Sequence, residues 1–183
     1  MKLYLPLLGF LAVVGLFGFG LWWNSGHNTT LVPSPLIGKP APDWKLPLLY
    51  QPTQTLDKTA MLGRPYVINV FASWCYVCGD EAPVLMAWGH DLGVPLIGYD
   101  YRDKRADALA WLSKHGDPYT QVVSDESGRT AINFGVYGAP ETYLIDAQGI
   151  IRWKHIGPLT PGVIRDKLLP QLRKLGVRPK AAA

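Results

Sequence analysis

The sequence predicts an α/β protein: a mixed β-sheet with helices on both faces, preceded by one membrane-spanning helix. Three observations predict it. Strand-like and helix-like segments alternate between residues 65 and 134, the order that parallel β-α-β units require. Two further strand-like runs, 142–146 and 150–156, flank Ala147-Gln148-Gly149, which reads as an antiparallel hairpin with a three-residue turn. Residues 3–23 contain no charged side chain and have about the length that crosses a bilayer.

Lys2 and the terminal amine precede the apolar run, so the positive-inside rule places the N-terminus in the cytoplasm. Trp22 and Trp23 stand where an interfacial aromatic belt belongs. A cleaved signal peptide would carry a shorter apolar region and an A-x-A-like site, but Asn24-Ser25-Gly26-His27 follows. Residues 1–23 therefore read as an anchor, 24–37 as a linker, 38–178 as the folded domain and 179–183 as a tail. At 183 residues there is room for one domain and an anchor. The net charge of +4 comes without a dense basic cluster, so no nucleic-acid partner is expected.

Within the domain, residues 44–49 suggest a short edge strand, because Pro47 cannot donate to a ladder. Residues 51–62 read as irregular. The apolar run 65–72 suits a strand buried on both faces. Residues 79–90 read as a helix with Ala82, Leu85, Met86 and Gly89 toward the sheet and a kink at Pro83. Residues 94–99 form a second buried strand. Ala108, Leu109, Trp111 and Leu112 recur at helical spacing within 104–115. Residues 121–124 read as a short strand and 127–134 as a short helix. Thr160 as N-cap and Pro161 at the first position open a helix to residue 175, which Pro170 should kink or divide.

The chemistry concentrates at the end of the 65–72 strand. Cys75-Tyr76-Val77-Cys78 follows it and contains the only two cysteines of the chain. Residues three apart share a helix face, so the two thiols can meet in a first turn. A helix N-terminus offers free N–H groups and partial positive charge, which favour the nucleophilic thiolate. Cys75, the more N-terminal and more exposed on this reading, should attack a disulfide and Cys78 should resolve the mixed disulfide. Asp80 and Glu81 in the first turn suit the dipole but oppose the thiolate. Structural zinc normally wants four ligands, and His27, His90, His115 and His155 lack a paired spacing. Gly79 excludes a C-x-x-C-H haem site. A purely structural disulfide would close a very short loop and gain little. No metal and no cofactor beyond the redox-active pair is expected.

Ala72-Ser-Trp-Cys-Tyr-Val-Cys78 after a buried strand resembles the thioredoxin superfamily. Gly135-Val-Tyr-Gly-Ala-Pro-Glu-Thr-Tyr-Leu-Ile-Asp146 narrows the resemblance to the thiol:disulfide interchange proteins of the DsbE/CcmG family, and Gly38-Lys-Pro-Ala-Pro-Asp43 is similar to that family's domain entry. The resemblance implies a thioredoxin-like fold, anchored in the inner membrane with its domain in the periplasm. It implies a reductase for cytochrome c maturation, acting on apocytochrome c or a partner thiol protein. A membrane electron donor of the DsbD/CcdA type would recharge it. Pro140 matches the superfamily's cis-proline beside the disulfide, and the backbone at Ala139 could pair with an extended substrate. Glu81, Glu141 and Asp103 match acidic positions assigned to proton transfer or partner recognition. Asn69 replaces the buried Asp of thioredoxins, six residues before Cys75, which makes Glu81 the candidate proton group. Trp74, Tyr76 and Val77 complete the surroundings of the cysteines. Tyr76-Val77 departs from the Pro-containing pairs of many relatives, so no redox potential carries over. Rival readings are a TlpA/ResA-like reductase of other exported proteins and an apocytochrome-binding module with a structural disulfide. A peroxidase would need a T-x-x-C pattern that the site lacks.

Overall fold

The computed structural model describes residues 4–25 and 34–180, except the side chains of residues 5, 6 and 23–25. Lys2, most of the expected linker (26–33) and the end of the tail (181–183) lie outside the described residues. The chain divides into two units, Met1–Ser34 and Pro35–Ala183.

The first unit holds helix α1, Leu5–Ser25, a 21-residue segment with no charged residue. Its side chains from residue 7 to 22 are exposed. Among the described residues no helix is long and apolar enough to cross a membrane. The residues with described side chains would span about 24 Å as a helix, and the whole of α1 about 31 Å.

In the second unit the sheet is five-stranded, with strand order β5-β4-β3-β6-β7. These strands are β3 (Tyr66–Phe71), β4 (Leu96–Tyr101), β5 (Gln121–Asp125), β6 (Glu141–Ile145) and β7 (Ile151–Ile156). β3, β4 and β5 are parallel; β6 and β7 run antiparallel. The expected β-α-β units and C-terminal hairpin are therefore present. All six residues of β3 are buried, as its apolar run requires.

Alternation along β3 sends Val67 and Phe71 into one core, together with both cysteines, Leu85, Leu112 and Leu172. It sends Tyr66, Ile68 and Val70 into a second core with Trp44, Leu46, Met61 and Phe134. Asn69 falls on the first face by the same period of two. That face carries helices α2 (Tyr76–Trp88) and α3 (Arg105–His115) and the C-terminal helical region. The second face carries only one short helix, α4 (Arg129–Asn133); the rest of its cover is N-terminal chain.

Several expectations are corrected. Residues 51–62 are not irregular: β2 (Thr55–Asp57) pairs antiparallel with β1 (Lys45–Pro47), and a 3₁₀ turn follows at Thr59–Met61. Strands of three residues bury one side chain each, Leu46 and Leu56, too few to show an alternation. Helix α2 begins at Tyr76, because Cys75 is extended and caps it. Asp80 and Glu81 thus leave the first turn. Pro83 lies on the exposed side and does not end the helix. Met86 is exposed, and Glu81 is buried with Cys78, Ala82 and Leu85.

Pro170 does divide the last helix. α5 (Pro161–Val163) leads into a π-helical turn, Ile164–Leu168, before α6 (Leu169–Lys174). Leu169 donates five residues back to Ile164, and Pro170 has no N–H to offer the next carbonyl. Thr160 caps this region through its side chain, which accepts from the Val163 N–H.

Candidate active site

Cys75 and Cys78 are joined by a disulfide at the start of α2. The Cys75 sulfur accepts the Cys78 N–H at 3.1 Å. Cys75 is thus the N-cap by its sulfur, the position where an N–H donor favours a thiolate. Cys75 is the more exposed of the two, as expected, but both are buried: 5% for Cys75 and 2% for Cys78. The chain around them is open instead, with Trp74, Tyr76 and Val77 exposed.

One helical turn along α2 from Cys78, Glu81 is 2% exposed. It accepts the Leu159 N–H at 2.8 Å and the Asn69 amide N–H₂ at 3.3 and 3.4 Å. Burial pushes its carboxyl up to about 7, against the pull of the Leu159 and Asn69 donors. The network continues through Asn69. Its Nδ2 also donates to Thr142 Oγ1 at 3.1 Å, and its Oδ1 accepts from Tyr119 OH at 2.7 Å.

The Ala139–Pro140 bond is cis. Ala139 is half-buried, and among the described residues its backbone N–H and C=O have no hydrogen-bond partner. A groove of about 550 Å³ lies on one side, lined by Trp74, Tyr101, Arg102, Tyr137, Gly138 and Ala139. Another, of about 380 Å³, is lined by Val77, Pro140, Ile156 and Pro158 among others. A peptide laid along Ala139 would have a depression on either side for its side chains.

Glu141 and Asp103 turn inward. Glu141 is fully buried and pairs with Lys154, a half-buried residue whose side chain is only 3% exposed, at 2.9 Å. It also accepts the Tyr137 N–H at 2.7 Å and Tyr143 OH at 2.8 Å. Lys154 donates as well to the Gly135 carbonyl. These bonds hold the 135–141 segment that presents Ala139. Asp103 is buried and accepts from Ser73 N–H at 2.5 Å, Ser73 Oγ at 2.9 Å and Lys104 N–H at 2.9 Å. It fixes the turn before Cys75. The bonds of both carboxylates thus go to neighbouring chain, whereas Glu81 lies one helical turn from Cys78.

A description of the AhpC/TSA family matches residues 37–154. The thiol:disulfide interchange protein DsbE of Xylella fastidiosa is 44% identical over 177 residues, 96% of this chain and 88% of its own length. That of Pseudomonas aeruginosa is 41% identical over 180 residues, 98% of this chain and 97% of its own. The chain belongs to the DsbE family. It is a thiol:disulfide oxidoreductase with a Cys-x-x-Cys pair. A solved thio-disulfide isomerase from Thermus thermophilus superimposes with a TM-score of 0.63 at 27% identity, covering 78% of this chain and 98% of that one. The fold is thioredoxin-like. Ala72 stands three residues before Cys75, so the AhpC/TSA match brings no T-x-x-C pattern with it.

For a DsbE-family site, the sequence reading missed Tyr119, Thr142, Leu159 and Lys154, which hold Asn69, Glu81 and Glu141. It also missed Asp100, which is fully buried on β4. Burial first, and then the Asp103 charge, push the Asp100 carboxyl up to about 7. Its Oδ2 accepts from Ser124 Oγ, and its Oδ1 has no partner among the described residues. Among the described residues no group of three or more His, Cys, Asp or Glu side chains could hold a metal ion.

Proposed function

We propose that this DsbE-family protein is a membrane-anchored periplasmic reductase that serves cytochrome c maturation. The observation that carries the reductase reading is the buried Glu81, one helical turn from Cys78, with its carboxyl pushed up to about 7 by burial. A reductase must deprotonate the thiol that resolves its mixed disulfide, and a base with that pKa suits the task.

In the reduced protein the Cys75 thiolate attacks one sulfur of the target disulfide. A Cys75–target disulfide forms and one target thiolate leaves. Cys78 gives its proton to Glu81, and its thiolate attacks the Cys75 sulfur. The Cys75–Cys78 bond closes and the second target thiolate leaves. Two electrons pass to the target, which takes up two protons. Asn69 cannot titrate, so it orients Glu81 and does not carry the proton. A dithiol donor of the DsbD/CcdA type returns the two electrons. The substrate is apocytochrome c or a maturation thiol protein, laid against Ala139 and Pro140. The resemblance of the 135–146 segment to the maturation family supports that choice.

The anchor is α1. It is apolar on every described face and those side chains are exposed, which suits a lipid surrounding. The reading rests on the uncharged run of residues 3–23, which has about the length that crosses a bilayer. The domain then lies in the periplasm, with the N-terminus in the cytoplasm.

Cytochrome c maturation in cells carrying Cys75→Ser tests the proposal. Maturation should be lost while partner binding persists. Retained maturation would make the protein a binding module with a structural disulfide.

A further inference from the structure

We infer that Tyr119 is a positioning residue for thiol–disulfide exchange: its hydroxyl locks the Asn69 amide so that Nδ2, not Oδ1, faces Glu81. The inference rests on the reading of Glu81 as the proton group of Cys78.

Three features make the lock. First, Asn69 lies on central strand β3, opposite Gly98 of β4 on one side and Thr142 of β6 on the other. Gly98 has no side chain, and the Tyr119 ring fills the space: a Cβ at Gly98 would come within 2.7 Å of the ring. The glycine is the gap through which Tyr119 reaches Asn69. Second, Tyr119 is seated independently of its hydroxyl, because its ring stacks on Phe71 at 5.2 Å between centroids. Third, the bonding sense is determined. When Glu81 is ionised, the state that takes up a proton, it only accepts, so the amide side facing it must then be the donor. Thr142 Oγ1 accepts from the same Nδ2. The amide oxygen is left on the opposite side, and there Tyr119 OH donates to it at 2.7 Å.

Without that hydroxyl the buried amide oxygen loses its donor. Turning the amide over would bring Oδ1 against Glu81, which favours the protonated carboxyl. Tyr119 thereby keeps Glu81 from becoming so basic that it never releases its proton. The other ionisable groups facing this cluster are Cys75 and Cys78 on α2, Asp100 on β4, Asp117 just before Tyr119, and His115 of α3 against Gly79. Tyr119→Phe changes none of them and keeps the ring.

The test is the rate of reaction of the reduced full-length protein with glutathione disulfide, followed by stopped flow from pH 5 to 9. Wild type should show an inflection that Glu81→Gln lacks. In Tyr119→Phe that inflection should move upward by about one pH unit, the size of one lost hydrogen bond to a charged group. Adding Tyr119→Phe to Glu81→Gln should change the profile no further. An unmoved inflection in folded Tyr119→Phe, with Glu81→Gln still distinct from wild type, overturns the inference. A Glu81→Gln profile identical to wild type overturns instead the role of Glu81 on which it rests.

Discussion

The Glu81 carboxyl is held among apolar side chains, yet two N–H donors point at it. Its folded value of about 7 exceeds the ordinary 4.5. The folded state therefore keeps a proton that the unfolded chain has already lost. Stability contributed by this group is full below pH 4.5, falls as the pH rises toward 7, and levels off above it. Glu81→Gln removes that dependence, so denaturant unfolding should show the variant gaining on wild type between pH 5 and pH 8. The same variant should exchange disulfides about a hundredfold more slowly at neutral pH, the lower end of what a positioned base contributes. A variant that matches wild type in both measurements would return Glu81 to a purely structural carboxylate. The sequence pointed to Glu81 because helical spacing ties it to Cys78. It could not show Tyr119 or Leu159, whose bonds to the cluster close 50 and 78 residues of chain.

At the level of elements, the site is an agreement between the start of α2 and the segment that leads into β6. Cys75 caps the first, and Asp103 fixes the turn that delivers it. The buried Glu141–Lys154 pair holds the second, with Tyr137 and Tyr143 on the same carboxylate. Both oxygens of Glu141 are satisfied, so the pair is costly to break from one side. Lys154→Met should lower stability by roughly 3–5 kcal/mol in denaturant unfolding. A loss below about 1 kcal/mol would mean that the pair behaves as a solvated surface contact. Strand and helix identities were readable here because β3 is apolar apart from Asn69 and α3 keeps its 3.6-residue spacing. The β1–β2 hairpin was not, since each strand contributes one buried leucine. Nor was the inward turn of Glu141, which depends on a lysine from the neighbouring strand.

Across the whole molecule, an apolar helix and a thioredoxin-like domain share one chain. The helix was readable from its lack of charge, and the domain's order from alternating segments and turn residues. Which protein the disulfide meets is fixed by surfaces on both partners and is written in neither pattern. The exposed Trp74, Tyr76 and Tyr137 surround the cysteines with aromatic surface, and the free backbone of Ala139 lies between two grooves. On the proposed function, such a surface would select substrates by their shape beside the reacting sulfur. The most direct measurement is to express the full-length Cys78→Ser protein in cells that make c-type cytochromes, trap mixed disulfides by acid quenching, and identify what Cys75 holds. A narrow reductase of cytochrome maturation predicts capture of apocytochrome c or of one maturation thiol protein, released by reductant. Capture of many unrelated exported proteins, or of none, would contradict it.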